Sequence, residues 1–262
     1  MRGRVVSRLV DVQDATKKFG QVTALGPISL TIGEGEFVSI VGPSGCGKST
    51  LLEIIGGLQH TSSGSVQVRG EELTGPRDET AIVFQDSATL PWRTVLDNVA
   101  FALEARKVPR DARRRIAEER LATVGLQDFA DHYPAQLSGG MRQRVAIARA
   151  LTTDPDLILA DEPFGALDEQ TRLLMSYELL RVVERLACGV LFITHSIQEA
   201  VLLSDRVIVM SARPGRILDD IAIPLPHPRD PDVLSQPSAT EAANRIWGLI
   251  RREAQLAMGA AS

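Results

Sequence analysis

The chain has 262 residues, 44% of them apolar and 24% charged, which is enough for one large globular domain or two small ones. A net charge of −4 and a pI near 5.7 argue against a dedicated nucleic-acid binder. No apolar run approaches the ~18 residues that span a bilayer, Met1-Arg2-Gly3-Arg4-Val5 holds no signal-peptide core, so no export is expected, and the two cysteines, Cys46 and Cys188, make no disulfide framework.

Residues 8–32 carry short β-like runs, with turns at Phe19-Gly20-Gln21 and Gly33-Glu34-Gly35. The apolar run Phe37-Val38-Ser39-Ile40-Val41 reads as a buried strand, and Leu51-Leu52-Glu53-Ile54-Ile55 reads as a helix. Between them stands Gly42-Pro43-Ser44-Gly45-Cys46-Gly47-Lys48-Ser49-Thr50, which fits the phosphate-loop pattern. Its glycines let the backbone curl so that N–H groups converge on a phosphate chain, at the positive end of the following helix. Lys48 then offers a full charge to the β- and γ-phosphates and Ser49 a hydroxyl to Mg²⁺. Cys46 reads as a small residue that fits the loop rather than as a reactive thiol.

Further along, Val66-Gln67-Val68 alternates as a strand does, and Ala81-Ile82-Val83-Phe84 is a short apolar run. Residues 94–132 look helical, divided by Pro109, with Thr94 and Asp97 in a capping-box pattern. Arg113-Arg114-Arg115 reads as a solvated helix face. Trp92, beside Pro91 and just ahead of that cap, fits either a core aromatic or a partner surface. Ser138 and two glycines precede the helical run Val145–Leu151, so Leu137-Ser138-Gly139-Gly140-Met141 forms a second helix N-terminus fit for an anion. One chain thus has two phosphate sites and one lysine-bearing loop, which leaves the second site for a neighbour's nucleotide.

The runs 157–160, 190–193 and 207–210 are unbroken apolar tetrads, as buried parallel strands are, and the helical stretches between them imply βαβ units and a sheet covered on both faces. The first ends in Asp161-Glu162-Pro163. At a strand's carboxyl end Asp161 suits Mg²⁺, held through water, and Glu162 suits the orientation and deprotonation of an attacking water. His195 follows the second run. It is either a satisfied polar residue at a strand end or an imidazole bridging a γ-phosphate and a catalytic carboxylate. Ser196 and Glu199 are expected to cap the next helix and aim the histidine. Residues 213–237 hold six of the 14 prolines and are expected to form an extended connection. Ser238 and Glu241 are expected to open a last capping-box helix, whose Ile246, Leu249 and Ile250 dock it on the body.

The motif set, in order over about residues 8–215, resembles the ATP-binding subunit of an ABC transporter. The resemblance implies an α/β fold: a P-loop NTPase sheet with an antiparallel β subdomain and an inserted helical signature subdomain at about 86–155. The ATPase domain would cover 1–235, with a C-terminal helical extension, 236–262, packed on it. It implies that Leu137–Met141 is the signature, that Gln85 contacts Mg²⁺ and senses the membrane subunit, that Ala166-Leu167-Asp168 links two active sites, and that Phe19 stacks on adenine, where the family more often has tyrosine. The ligands of ATP would be Phe19, Gly42 through Thr50, Gln85, Ser138, Gly139 and Gly140; those of Mg²⁺ would be Ser49, Gln85 and Asp161; and Glu162, His195 and Lys48 would be catalytic. Partners would be a second copy of the chain in an ATP-sandwich dimer, two membrane permease subunits and, indirectly, a substrate-binding protein, at the cytoplasmic face of the inner membrane and without nucleic acid.

The stretch Leu90–Val99, the run Asp161–Asp168 and the segment Met210–Ile217 resemble bacterial importers of nitrate, sulfonates, taurine and related compounds. About 45 residues follow Ile217, too few for the regulatory barrel of longer importer ATPases. The alternative is a soluble ABC ATPase without a permease. Ribosome-acting relatives usually join two ATPase domains, and DNA-repair relatives insert long coiled coils; here Lys48 and Ser138 lie 90 residues apart with no sustained heptads.

Overall fold

Two sheets share the chain. The computed structural model describes residues 7–229 and 231–259, without the side chains of 231 and 256–259. The reading of Met1–Val5 lies outside the described residues. β1 (Arg8–Phe19) and β2 (Val22–Gly33) form an antiparallel hairpin, turned at Gly20 with φ 57°. β4 (Ser63–Val68) and the short β5 (Glu71–Glu72) extend it in the order β2-β1-β4-β5.

The second sheet runs in the order 217–222 (β10), 206–210 (β9), 37–41 (β3), 189–193 (β8), 157–161 (β7) and 80–83 (β6). Its parallel strands are β3 (Phe37–Val41), β6 (Thr80–Val83), β7 (Leu157–Asp161), β8 (Gly189–Ile193) and β9 (Arg206–Met210). The unbroken apolar character of the central strands follows from cover on both faces. Leu157 and Leu159 point into a core shared with the hairpin sheet and with α1 (Lys48–Ile55), whereas Ile158 and Ala160 point into a second core. That second core contains α5 (Glu169–Leu186) and the tilted ring chain Phe37–Phe192–Phe164.

Between β6 and β7 the chain builds a helical block of α2 (Val95–Ala105), α3 (Arg110–Thr123) and α4 (Gly139–Ala150). Thr94 Oγ1 accepts from Asp97 N at 3.1 Å at the start of α2, and Pro109 stands at the start of α3. Two of the three basic residues face solvent, Arg114 paired with Glu118 and Arg115 with Glu119, each at 2.9 Å, whereas Arg113 is half-buried and donates to Val108 O at 3.5 Å.

After β8 come α6 (Ile197–Leu203) and, beyond β9, the C-terminal part, which departs from expectation twice. Inside the proline-rich connection, β10 (Ile217–Ala222) pairs antiparallel with β9 as an edge strand, because the prolines flank this proline-free hexapeptide rather than interrupt it. The last helix, α7 (Pro237–Gly259), starts one residue before Ser238. Proline at the first helical position has its φ preset and lacks an N–H that the first turn leaves unpaired anyway, so Gln236, whose carbonyl accepts from Thr240 N at 3.2 Å, takes the cap position. Ile246 is fully buried, and Leu249 and Ile250 are half-buried, in a third core with Val201, Val207 and Ile221. Among the described residues no helix is long and apolar enough to cross a membrane.

Candidate functional site

The phosphate loop leaves β3 at the carboxyl edge of the sheet. Gly45 (φ 73°) and Gly47 (φ 100°) take the left-handed conformations that the curl requires. A Cβ on Gly47 would lie 2.5 Å from Leu25 Cδ2 and 3.2 Å from Ala24 O, so a side chain there would have to displace Leu25. Lys48 is nearly buried, and its ammonium folds back across the loop to donate to Gly42 O at 2.9 Å and Pro43 O at 3.0 Å. Cys46 is buried, and that burial, partly opposed by Lys48, raises its thiol pKa. The thiol stays protonated and serves as packing.

Across the sheet, β7 delivers Asp161 and Glu162. Burial, helped by the neighbouring charge of Glu162, raises the Asp161 pKa against a hydrogen bond from the Ser49 hydroxyl and the attraction of Lys48. Glu162 sits at φ 45°, an uncommon conformation for glutamate, and its N–H donates to Ile193 O at 2.9 Å. Its Oε2 accepts from Gln85 Nε2 at 3.2 Å and lies 3.4 Å from His195 Nδ1. Two side chains, from the ends of β6 and β8, thus converge on one carboxylate oxygen at the end of β7.

What aims His195 differs from expectation. Ser196 Oγ accepts from Glu199 N at 3.3 Å, as a cap should. The Glu199 carboxylate, however, does not return to the Ser196 N–H. It accepts from the Thr194 hydroxyl and pairs with Arg172 at 3.4 Å, while the Ser196 N–H donates to Thr194 Oγ1 at 2.9 Å. Thr194 takes both groups of the reciprocal bond, the Glu199 carboxylate and the Ser196 N–H, and so fixes the backbone on either side of His195.

A cleft of about 670 Å³ unites Phe19, Ser44, Lys48, Ser49, Thr50, Gln85, Glu162 and His195, with the loop glycines Gly42, Gly45 and Gly47. Phe19 is half-exposed in it, with Lys17 Nζ 5.2 Å from its ring centroid. Pro43, Cys46 and Asp161 do not line it. Ser138, Gly139 and Gly140 do not line this cleft. Ser138 Oγ caps α4 by accepting from Met141 N at 3.2 Å. The glycines pack on the segment that follows Glu162: a Cβ on Gly140 would lie 2.6 Å from Leu167 Cδ2. Asp168 caps α5, and its bonds from Thr171 hold its carboxyl below the usual range.

The donor set suits a magnesium nucleoside triphosphate. The loop's glycines take left-handed turns that curl the backbone, Lys48 could offer charge, and Ser49, Asp161 and Gln85 could offer the hard oxygens that Mg²⁺ takes. Two residues stand out beyond those the motifs single out. Arg213 also lines the cleft, although it lies far along the chain. Asn98 is fully buried and holds the loop before α2, where Trp92 is 72% exposed. The core alternative for Trp92 is thereby removed.

A family model described as ABC transporter matches residues 25–165. The chain is 50% identical over 223 residues to an uncharacterised ABC transporter ATP-binding protein of Methanocaldococcus jannaschii, covering 84% of each. It is 47% identical over 215 residues to the taurine import ATP-binding protein of Burkholderia thailandensis, covering 82% of each. It is also 43% identical to a bicarbonate transport ATP-binding protein of Synechococcus elongatus, covering 89% of this chain and 36% of that one. Among solved structures, a dimeric ATP-binding cassette in a post-hydrolysis state with ADP and Pi superposes with a TM-score of 0.75 at 37% identity, covering 82% of this chain and 98% of that one.

Proposed function

The chain belongs to the ABC transporter family of ATPases, and from that membership we propose that it powers an importer of a small solute of the nitrate, sulfonate or taurine kind. It would do so as a homodimer bound to two permease subunits at the cytoplasmic face of the membrane. The observation that carries the importer reading is the loop from Gln85 to Thr94: it starts at a residue bonded to Glu162 and presents an exposed Trp92 on a backbone clamped by Asn98. The similarity to the taurine and bicarbonate transport proteins supports the solute class.

In this reading the adenine stacks on Phe19 and the triphosphate lies in the glycine loop under Lys48. Ser49, Gln85 and Asp161 hold Mg²⁺, which when bound spreads the charge of the β- and γ-phosphates. Glu162 takes a proton from the water that attacks the γ-phosphorus. The bond from that phosphorus to the bridging oxygen breaks, releasing ADP and phosphate. His195 approaches Glu162 through Nδ1, which leaves Nε2 for a γ-phosphate oxygen. The signature residues Ser138, Gly139 and Gly140 are absent from the lining of their own cleft, which supports their use on the nucleotide of a second copy. The dimeric form of the solved relative supports the same arrangement. The contact of Gly140 with Leu167 then ties one site's signature to the other site's Glu162 turn. A nucleotide that binds the closed pair more tightly than the open one favours closure, and its hydrolysis reopens the pair.

The test is purification of the tagged chain from its native membrane. Recovery with two integral membrane subunits, and ATP-driven uptake of labelled taurine, nitrate or bicarbonate by the reconstituted complex, is expected. Recovery in the soluble fraction without membrane subunits, at full ATPase activity, overturns the importer reading.

A further inference from the structure

We propose that Arg213 binds the phosphate chain in the nucleotide cleft and that the C-terminal helix sets it there through Glu253. The proposal rests on the cleft being the nucleotide site.

Parallel pairing of β9 with β3, with Val209 opposite Val41, brings the chain leaving β9 out beside the phosphate loop leaving β3. The turn that follows is built to hold this place. Ser211 N donates to Arg216 O at 2.9 Å, Arg216 N to Ser211 Oγ at 3.0 Å, and Ser211 Oγ to Pro214 O at 3.2 Å. Gly215 then fuses the turn to the cleft wall: its N–H donates to Ala24 O at 2.9 Å, and its carbonyl accepts from Gly26 N at 2.9 Å. A Cβ on Gly215 would fall 2.0 Å from Cys46 O, so the turn lies directly against the phosphate loop.

From that turn Arg213 reaches the cleft lining alongside Lys48, with Nη2 3.8 Å from where a Cβ of Gly45 would stand. Its guanidinium is exposed and makes no hydrogen bond or ion pair with a described residue. Arg206 and Arg245 on neighbouring elements, by contrast, both pair with carboxylates. A cation left unneutralised at the rim of a cleft whose ligand is a polyanion is placed to serve that ligand. A planar guanidinium can bind two phosphate oxygens at once.

The residue before it, Ala212, donates its N–H to Glu253 Oε2 of α7 at 2.9 Å. This contact gives the C-terminal helix a hold on the nucleotide site. Glu253 touches no nucleotide; it is a positioning residue that fixes the backbone bearing Arg213.

The test is calorimetric titration of the purified full-length chain with MgATP at about 0.1 M salt. Arg213→Ala should weaken binding by about 5–20-fold, the lower part of the range for a charge-assisted contact because the site is open to solvent. Its melting temperature should match the parent's, since the side chain is exposed and unpaired. Glu253→Ala should weaken binding by about 2–5-fold, and Glu253→Gln, which keeps an acceptor oxygen, should restore it. In the Arg213→Ala background, Glu253→Ala should cause no further loss. An Arg213→Ala affinity within twofold of the parent's, with Lys48→Ala abolishing binding, overturns the proposal and is the result expected if Arg213 serves a protein partner instead. An equal loss from Glu253→Ala with and without Arg213 overturns the positioning link. If Lys48→Ala itself binds as the parent does, the reading of the cleft fails, and this proposal with it.

Discussion

Trp92 and Asn98 form a pair in which presentation and contact can be pulled apart. Trp92 is 72% exposed, so Trp92→Ala removes little from the core of the free subunit. Its stability should change by no more than about 0.5 kcal/mol, and its melting temperature by under about 2 °C. Asn98 is 0% exposed. Its Oδ1 accepts from Leu90 N at 2.7 Å, and its Nδ2 serves Leu90 O, Arg93 O and Thr94 O at 3.1, 3.1 and 2.9 Å. Two of those carbonyls keep another donor: Leu90 O is reached by Arg93 N, and Thr94 O by Asn98's own N–H. Asn98→Ala therefore strands two groups, the Leu90 N–H and the Arg93 carbonyl. At ~1–3 kcal/mol for each unpaired buried group, reduced where water enters the opened loop, the cost is about 2–4 kcal/mol. For a chain of this size that is a fall of about 5–15 °C in melting temperature.

The functional readouts should part in a matching way. Trp92→Ala should lose about 1–3 kcal/mol of permease affinity, roughly 5- to 150-fold, while keeping the parent's MgATP affinity and melt. Asn98→Ala should lose both stability and permease affinity, because the loop no longer has one conformation to offer. Scanning calorimetry of the free subunit and titration with detergent-solubilised permease measure the two quantities. A Trp92→Ala subunit that melts more than about 5 °C low yet binds permease as the parent does would refute the reasoning.

Glu162→Gln should keep nucleotide binding, lower turnover by roughly 10²–10⁴ and accumulate an ATP-bound dimer on gel filtration; near-normal hydrolysis would sink its role as base. Mixing Lys48→Ala with Ser138→Arg subunits should yield more ATPase activity than either alone, since one composite site then holds both lesions and the other neither; a full parental rate from separated monomers, independent of concentration, would count against sharing. Asp161→Asn should abolish Mg²⁺-dependent turnover without lowering the melting temperature at pH 7. The sign follows from the raised pKa of Asp161: its protonated form is the one the fold favours, so the stability it contributes is present in acid and lost as pH rises through the folded pKa, and a neutral amide removes that loss. A markedly lower melting temperature for Asp161→Asn at pH 7 would contradict the assignment of burial as the dominant cause.

What could be read in the chain beforehand is what lies on contiguous backbone. The loop from Gly42 to Thr50 shows itself because its glycines, lysine and serine act within a single turn, and Asp161-Glu162 does so because it ends an apolar strand. The capping pattern at Ser196 and Glu199 is met in its first bond but not in the reciprocal one, because the competitor for the two groups of that bond, Thr194, is a strand-end hydroxyl that the helix pattern does not include. The edge strand β10 is hidden by the prolines on either side of it. Trp92 stays ambiguous in sequence because its exposure is decided by Asn98, whose burial depends on helix packing. Arg213 is the extreme case. Nothing within ten residues of it suggests a phosphate, and its place in the cleft exists only because β9 lies next to β3 and because Gly215 is small enough to press the turn against Cys46. Residues placed by strand order should be sought where a turn follows a strand that neighbours the phosphate-loop strand, and here that rule points to residues 211–216.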